Sequence, residues 1–281
     1  MDSASENVDQ NKPAAYAGYN AKAAPSWLVN RTADKEAAFF LPHLRSGMSL
    51  LDCGCGPGSI TLGLAQAVAP GQTLGIDFDP SQIELAQTYA AEQGVATVRF
   101  ETATIYQLPF PDNFFDAVFS HAVMGHLSEP QTALGEIYRV LKPGGVVGIR
   151  NPDFDGILLS PADLNLKRFF DLQAAIIRQK GGNAYIGKLQ PTLLHQVGFV
   201  GLQTTATCES YGTTAEIEHW ANVVSQFLDE QSFLSQFRQF GVETGEIEDI
   251  RKTWHTWRTD ATAFYSAPWI ETIGWKKGLI T

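Results

Sequence analysis

The residues best suited to chemistry lie in Leu50-Leu51-Asp52-Cys53-Gly54-Cys55-Gly56-Pro57-Gly58-Ser59, where an apolar run meets a carboxylate and then three alternating glycines. Gly54, Gly56 and Gly58 let the backbone turn tightly and approach a ligand without Cβ contacts, and a helix opening near Ser59 presents free N–H groups. The segment reads as a nucleoside-cofactor loop with an acid built into it. A dinucleotide would lay its pyrophosphate against this turn, where Asp52 repels it, and the spacing is G-x-G-x-G and not G-x-G-x-x-G. A cofactor carrying an ammonium group suits Asp52 better. About nineteen residues beyond Gly58, Thr73-Leu74-Gly75-Ile76-Asp77-Phe78-Asp79-Pro80 is a second short run ending in an acid, at the distance where a βαβ unit places an acceptor for a ribose diol. Asp77 can accept two hydroxyl hydrogen bonds there.

Two further groups follow. His121 and His126 lie just beyond an apolar run, and an imidazole there could accept a phenol or enol proton at neutral pH or simply hold its loop. No metal is expected: the histidines are five apart, off the four-residue ligand spacing of a helix, and Cys53 and Cys55 lack the Cys-x-x-Cys pattern. Asn151, Asp153 and Asp155 follow a fifth apolar run. They either position a substrate at the carboxyl edge of a sheet or form turns around Pro152 and Gly156.

Strands are expected near 48–53, 72–77, 96–102, 115–120 and 144–150, with helices near 59–69, 80–93 and 130–141. Such alternation predicts a parallel sheet covered on both faces. Asp79-Pro80 reads as an N-cap with proline in the first turn, and Lys142-Pro143-Gly144-Gly145 as a helix stop. Downstream, a long helix from Ser160-Pro161-Ala162-Asp163 to about Lys180, a helix near 188–197 and a strand near 199–208 are expected. In residues 213 to 262, Ile217, Trp220, Val224 and Phe227, then Ile247, Ile250, Trp254 and Trp257, recur at helical spacing. They predict a helical insert with an aromatic face.

The composition narrows the function. A chain of 281 residues, 44% of them hydrophobic, fits one large α/β unit with an insertion. Its formal charge of −10 repels a phosphate backbone, so no nucleic-acid partner is expected. Three cysteines, two of them in the glycine turn, imply no disulfide framework and point to a reducing, cytoplasmic setting. No export signal or membrane anchor is expected either.

Leu108-Pro109-Phe110-Pro111-Asp112-Asn113-Phe114-Phe115-Asp116, the Ser120 to His126 segment and Glu136-Ile137-Tyr138-Arg139-Val140-Leu141-Lys142-Pro143-Gly144-Gly145 follow the two acidic motifs in order. Over residues 48 to 150 the chain resembles the class I S-adenosylmethionine-dependent methyltransferases, within them the ubiquinone/menaquinone and sterol methyltransferase-like branch. The resemblance implies a doubly wound, mostly parallel seven-stranded sheet of Rossmann-like type whose last strand, placed at 269–275, is antiparallel. It also implies methyl transfer from S-adenosylmethionine, giving S-adenosylhomocysteine, to a small, partly apolar acceptor at oxygen, carbon or nitrogen. By resemblance, Asp52 and the Gly54, Cys55 and Gly56 backbone hold the methionine part, Asp77 the ribose, and Phe78 lies on the adenine. Ser120, and Tyr16 and Tyr19 of the N-terminal segment, complete the expected cofactor contacts. Ala103-Thr104-Ile105 replaces the Gly-Asp-Ala type turn of relatives, so adenine recognition falls to Thr104, Phe78 and the Ile105 backbone N–H.

The expected organisation is a flexible segment over 1–24, a core over 25–212, a helical lid over 213–262 and a last strand within 263–281. Substrate contacts are expected from Asn151, Asp153, Trp220 and Trp254, and proton transfer from His121 or His126. The competing readings are a cofactor-binding regulator without catalysis and a nicotinamide-dependent oxidoreductase.

Overall fold

The computed structural model describes residues 30–278. Every residue of β1 (Leu50–Cys53) is buried, which explains why the only polar group in that run is a functional candidate, Asp52. β1 pairs in parallel with β2 (Thr73–Asp77) on one side and β4 (Phe115–His121) on the other. β3 (Val98–Thr102) and β5 (Leu141–Pro152) extend the parallel sheet outward. β8 (Phe264–Trp275) then enters antiparallel between β5 and the edge strand β7 (Val200–Tyr211). A short strand, β6 (Leu158–Ser160), pairs with the start of β8 and makes the sheet eight-stranded.

The strand order places the carboxyl ends of β1, β2, β4 and β5 along one edge, where open parallel sheets bind ligands. Local signals act as expected at the helix starts. Gly58, at φ +81°, caps α2 (Ser59–Val68), and Asp79 accepts from the Ser81 N–H ahead of Pro80 in α3 (Pro80–Glu92). A short α1 (Ala33–Glu36) precedes the sheet, and α4 (Pro130–Val140) follows β4. The expected helix stop at Lys142-Pro143-Gly144-Gly145 is instead already strand, because Leu141 pairs with Phe115 across a register shift.

Beyond β5 come α5 (Leu164–Gln179), started by Asp163, and α6 (Gln190–Val197). Residues between β7 and β8 form three helices: α7 (Thr214–Asp229), α8 (Gln231–Gln239) and α9 (Thr244–Trp257). Thr213 and Glu216 form a capping box at the start of α7. The inner faces of the three helices bury Val224, Phe237, Ile250 and Trp254 against Phe169 and Phe170 of α5, giving this end of the molecule its own apolar core. Among the described residues no helix is long and apolar enough to cross a membrane.

Candidate active site

Gly54 and Gly56 both take positive φ, +78° and +52°, a conformation that costs glycine nothing. A Cβ at Gly54 would lie 2.2 Å from Val123, so the loop after β4 presses directly on the turn. At Gly56 the nearest atom to such a Cβ is 4.0 Å away, leaving the backbone open to a ligand.

Asp52 is 2% exposed and accepts the Thr61 hydroxyl at 2.6 Å. Burial pushes its carboxyl up to about 7; the Thr61 bond opposes this, and the charge of Asp77 adds to it. Asp77 is raised by burial too, against bonds from the Asp79 and Gly56 N–H groups at 3.0 Å each. The Phe78 N–H bonds to it as well, and since a carboxylate offers about four lone-pair sites Asp77 keeps capacity for a ribose hydroxyl. The charge of half-buried Asp77 disfavours that of buried Asp52, so a cation is welcome beside Asp52.

These residues fit S-adenosylmethionine. Phe78, 40% exposed beside Asp77, offers an uncovered ring face for a base. Thr104 Oγ1 accepts the Tyr106 N–H at 3.3 Å, and the Ile105 side chain is buried in the core, leaving its backbone as the group that can serve. The Cys55 side chain likewise points into the core around Leu62 and Ile83, so only its backbone can contribute. Ser120 corrects the expectation: it is 1% exposed and its hydroxyl donates to the Cys53 carbonyl at 3.0 Å, tying β4 to β1. Tyr16 and Tyr19 lie outside the described residues.

At the end of β4, Ala122 takes φ +58°, a strained position for a residue with a Cβ, and its N–H donates to the Arg150 carbonyl. The His121 ring stacks on Trp269 at 4.9 Å, and neither ring nitrogen has a hydrogen-bond partner among the described residues. Burial, followed by the charges of Arg31 and Arg150, holds its pKa well below the usual imidazole range. His126 is pushed down to about 4 by burial and the Lys180 charge. Both rings are neutral at physiological pH.

Arg150 lies over Trp269, 4.3 Å from the ring centroid, and pairs with Glu36 of α1 and Glu271 of β8. Thr205 and Thr207 donate to Glu271, and the Trp269 indole donates to Glu209. This buried network locks α1 to the far half of the sheet. A charged residue at the end of the apolar run 146–149 was a signal for such partners. Trp269 itself gave none beyond strand propensity.

A cavity of about 180 Å³ opens where the carboxyl ends of β4 and β5 meet α5 and the insert. Ala122 and His126 line one side, Asn151 another, Ile176 and Ile177 a third, and Phe227 and Phe233 of the insert reach in from above. The structure thus brings together His126, Asn151 and the insert, and it leaves His121 outside the lining. Three other expectations are corrected. Trp254 is 1% exposed inside the insert core and has no surface to offer a ligand. Trp220 stacks with both Tyr211 and Tyr265 away from the cavity. Asp153 is committed to its own turn, accepting the Asp155 and Lys188 N–H groups at 3.2 Å and 2.9 Å.

The methyltransferase domain family matches residues 51–149. A protein described as the probable methyltransferase ltbC of Aspergillus luteorubrus is 30% identical over 264 residues, covering 88% of this chain and 92% of that protein. The chain belongs to the methyltransferase family. A match to a demethylmenaquinone methyltransferase of Lactiplantibacillus plantarum, 39% identical, covers 42% of this chain and spans about half of that enzyme, 52%. It agrees with the quinone-methyltransferase-like branch of the class I, S-adenosylmethionine-dependent enzymes. Among solved structures, the YcgJ protein of Bacillus subtilis superposes with a TM-score of 0.59 at 18% identity, covering 87% of this chain and 99% of that one. That likeness carries the fold. The methyltransferase assignment displaces the oxidoreductase reading, which the acid beside the glycine turn already disfavoured.

Proposed function

We propose that this methyltransferase transfers a methyl group to a small, partly apolar metabolite: an aromatic, a quinone or another specialised natural product, at oxygen, carbon or nitrogen. The observation that carries the proposal is the cavity at the carboxyl ends of β4 and β5, with apolar walls from α5 and the insert and few polar groups. Asp52 and the Gly54 and Gly56 backbone would receive the methionine part of S-adenosylmethionine, Asp77 the ribose diol, and Phe78, Thr104 and the Ile105 N–H the adenine. When bound, this cofactor supplies an electrophilic methyl on a sulfonium. The chain's task is then to orient the acceptor in line with that methyl and to keep water out, which carries much of the rate. We assign the covering to residues 213–262 as a lid, through Phe227 and Phe233.

Imidazoles buried enough to stay neutral down to acid pH are weak bases, so we assign His121 and His126 to holding the loop after β4 and shaping the cavity wall. Three unbridged thiols suit a cytoplasmic setting. The test supplies S-adenosylmethionine labelled in its methyl group together with phenols, quinones and amines in turn. Label is expected in at least one small apolar acceptor and in none of the RNA and protein controls. Transfer to a macromolecule alone would overturn the proposal.

A further inference from the structure

The polar groups around Asn151 leave one hydrogen-bond acceptor without use. Gln190, 1% exposed at the start of α6, directs its amide nitrogen at the Ile149 and Ile270 carbonyls, 3.3 Å and 2.9 Å away, and at the Thr272 hydroxyl at 2.9 Å. Carbonyl oxygens cannot donate, so the Gln190 amide cannot be flipped. Its oxygen therefore faces Asn151, which answers with its own nitrogen at 3.1 Å. That contact fixes the second amide as well. Asn151 Oδ1 is left fully buried, at 0% residue exposure, with no partner among the described residues, in a residue that lines the cavity.

A buried acceptor oxygen left without a donor is costly, and a ligand that supplies the donor recovers that cost. We propose that Asn151 Oδ1 receives a neutral hydroxyl of the methyl acceptor, so that the cavity selects a singly substituted or small polysubstituted aromatic ring bearing such a hydroxyl. The inference rests on the proposed reaction and names its substrate class. The volume agrees: cavities of roughly 150 Å³ take benzene, and about 180 Å³ leaves room for substituents. An ammonium would share the cavity with Arg31, a cationic side chain of its lining, and gains nothing from an acid there among the described residues. Gln190 is a positioning residue that acts through Asn151.

Two probes of nearly one shape separate a hydroxyl from a methyl. 4-Ethylphenol and 4-ethyltoluene are titrated into the full chain saturated with S-adenosylhomocysteine. The parent is expected to hold the phenol about tenfold or more tighter than the toluene. In Asn151→Leu the phenol-to-toluene preference should fall to near unity. Asn151→Asp, which keeps an oxygen but adds charge, should not restore the parent value. Gln190→Met should lose most of the preference while still binding the toluene, an effect a merely structural role would not produce. Equal binding of phenol and toluene by the parent, no binding of the phenol, or a parent-like preference in Asn151→Leu would each overturn the proposal. If Asn151→Leu fails to fold, the parent ratio and Gln190→Met decide. Methyl transfer by a protein that shows no such preference would sink this inference and leave the proposed reaction standing; a preference without any transfer would do the reverse.

Discussion

Cofactor affinity should depend on pH through Asp52. Its carboxyl is raised to about 7 by burial, so the ligand-free protein carries it protonated over much of the acid range. An ammonium group placed beside it favours the ionised form, and binding must then expel the proton. Below about 7, each pH unit should weaken S-adenosylhomocysteine about tenfold, so affinity at pH 5.5 should be about 30-fold lower than at pH 8. His126 titrates near 4 and stays silent in this window.

The assay is titration calorimetry in buffers of different ionisation enthalpy. About one proton per site should be released at pH 6 and about a tenth of one at pH 8. Asp52→Asn keeps an oxygen for the Thr61 hydroxyl and should weaken binding at pH 8 while flattening the profile. The same linkage has a stability side. A carboxyl whose pKa is raised on folding stabilises the fold fully below its unfolded value and loses that contribution as pH climbs toward about 7. Ligand-free Asp52→Asn should therefore melt higher than the parent at pH 8. A flat affinity from pH 5.5 to 8 with buffer-independent heats would refute the reasoning.

Arg150→Met should destabilise the protein by about 3–5 kcal/mol in urea unfolding, because it leaves Glu36 and Glu271 buried without their partner. His121→Ala should lower turnover less than tenfold with saturating acceptor; a loss of the roughly 10²–10⁴ typical of a general base would restore a proton-transfer role for it. Within the insert, amides of residues 226–236 should gain protection from hydrogen exchange when an acceptor binds, since Phe227 and Phe233 line the cavity. Protection confined to the glycine turn would leave the insert as packing alone.

The fold was legible because its signals are local. Glycines at positive φ, the Asp79-Pro80 start and the apolar runs each fix a boundary within a few residues, whereas β6 escaped notice, since three residues are too few to show a period. Asp52 and Asp77 were legible for the same reason: spacing along one βαβ unit sets their distance in space. The cavity was not. Asn151 meets Gln190 where α6 packs on the sheet, and His121 meets Trp269 across β5, so both contacts join residues far apart in sequence. Helical spacing in the insert marked an apolar face but not which part of it would close on its own core. Trp254 therefore turned inward with Ile250, while Phe227 and Phe233 reached the cavity.

The central claim is that the acceptor occupies this cavity while the cofactor occupies the glycine turn. The most direct measurement is label transfer from S-adenosylmethionine by the parent and by Ala184→Leu, which fills the cavity from its wall and touches none of the cofactor-site residues. The account predicts unchanged S-adenosylhomocysteine affinity in the variant and loss of transfer to the acceptor the parent uses. Full transfer by Ala184→Leu would contradict it.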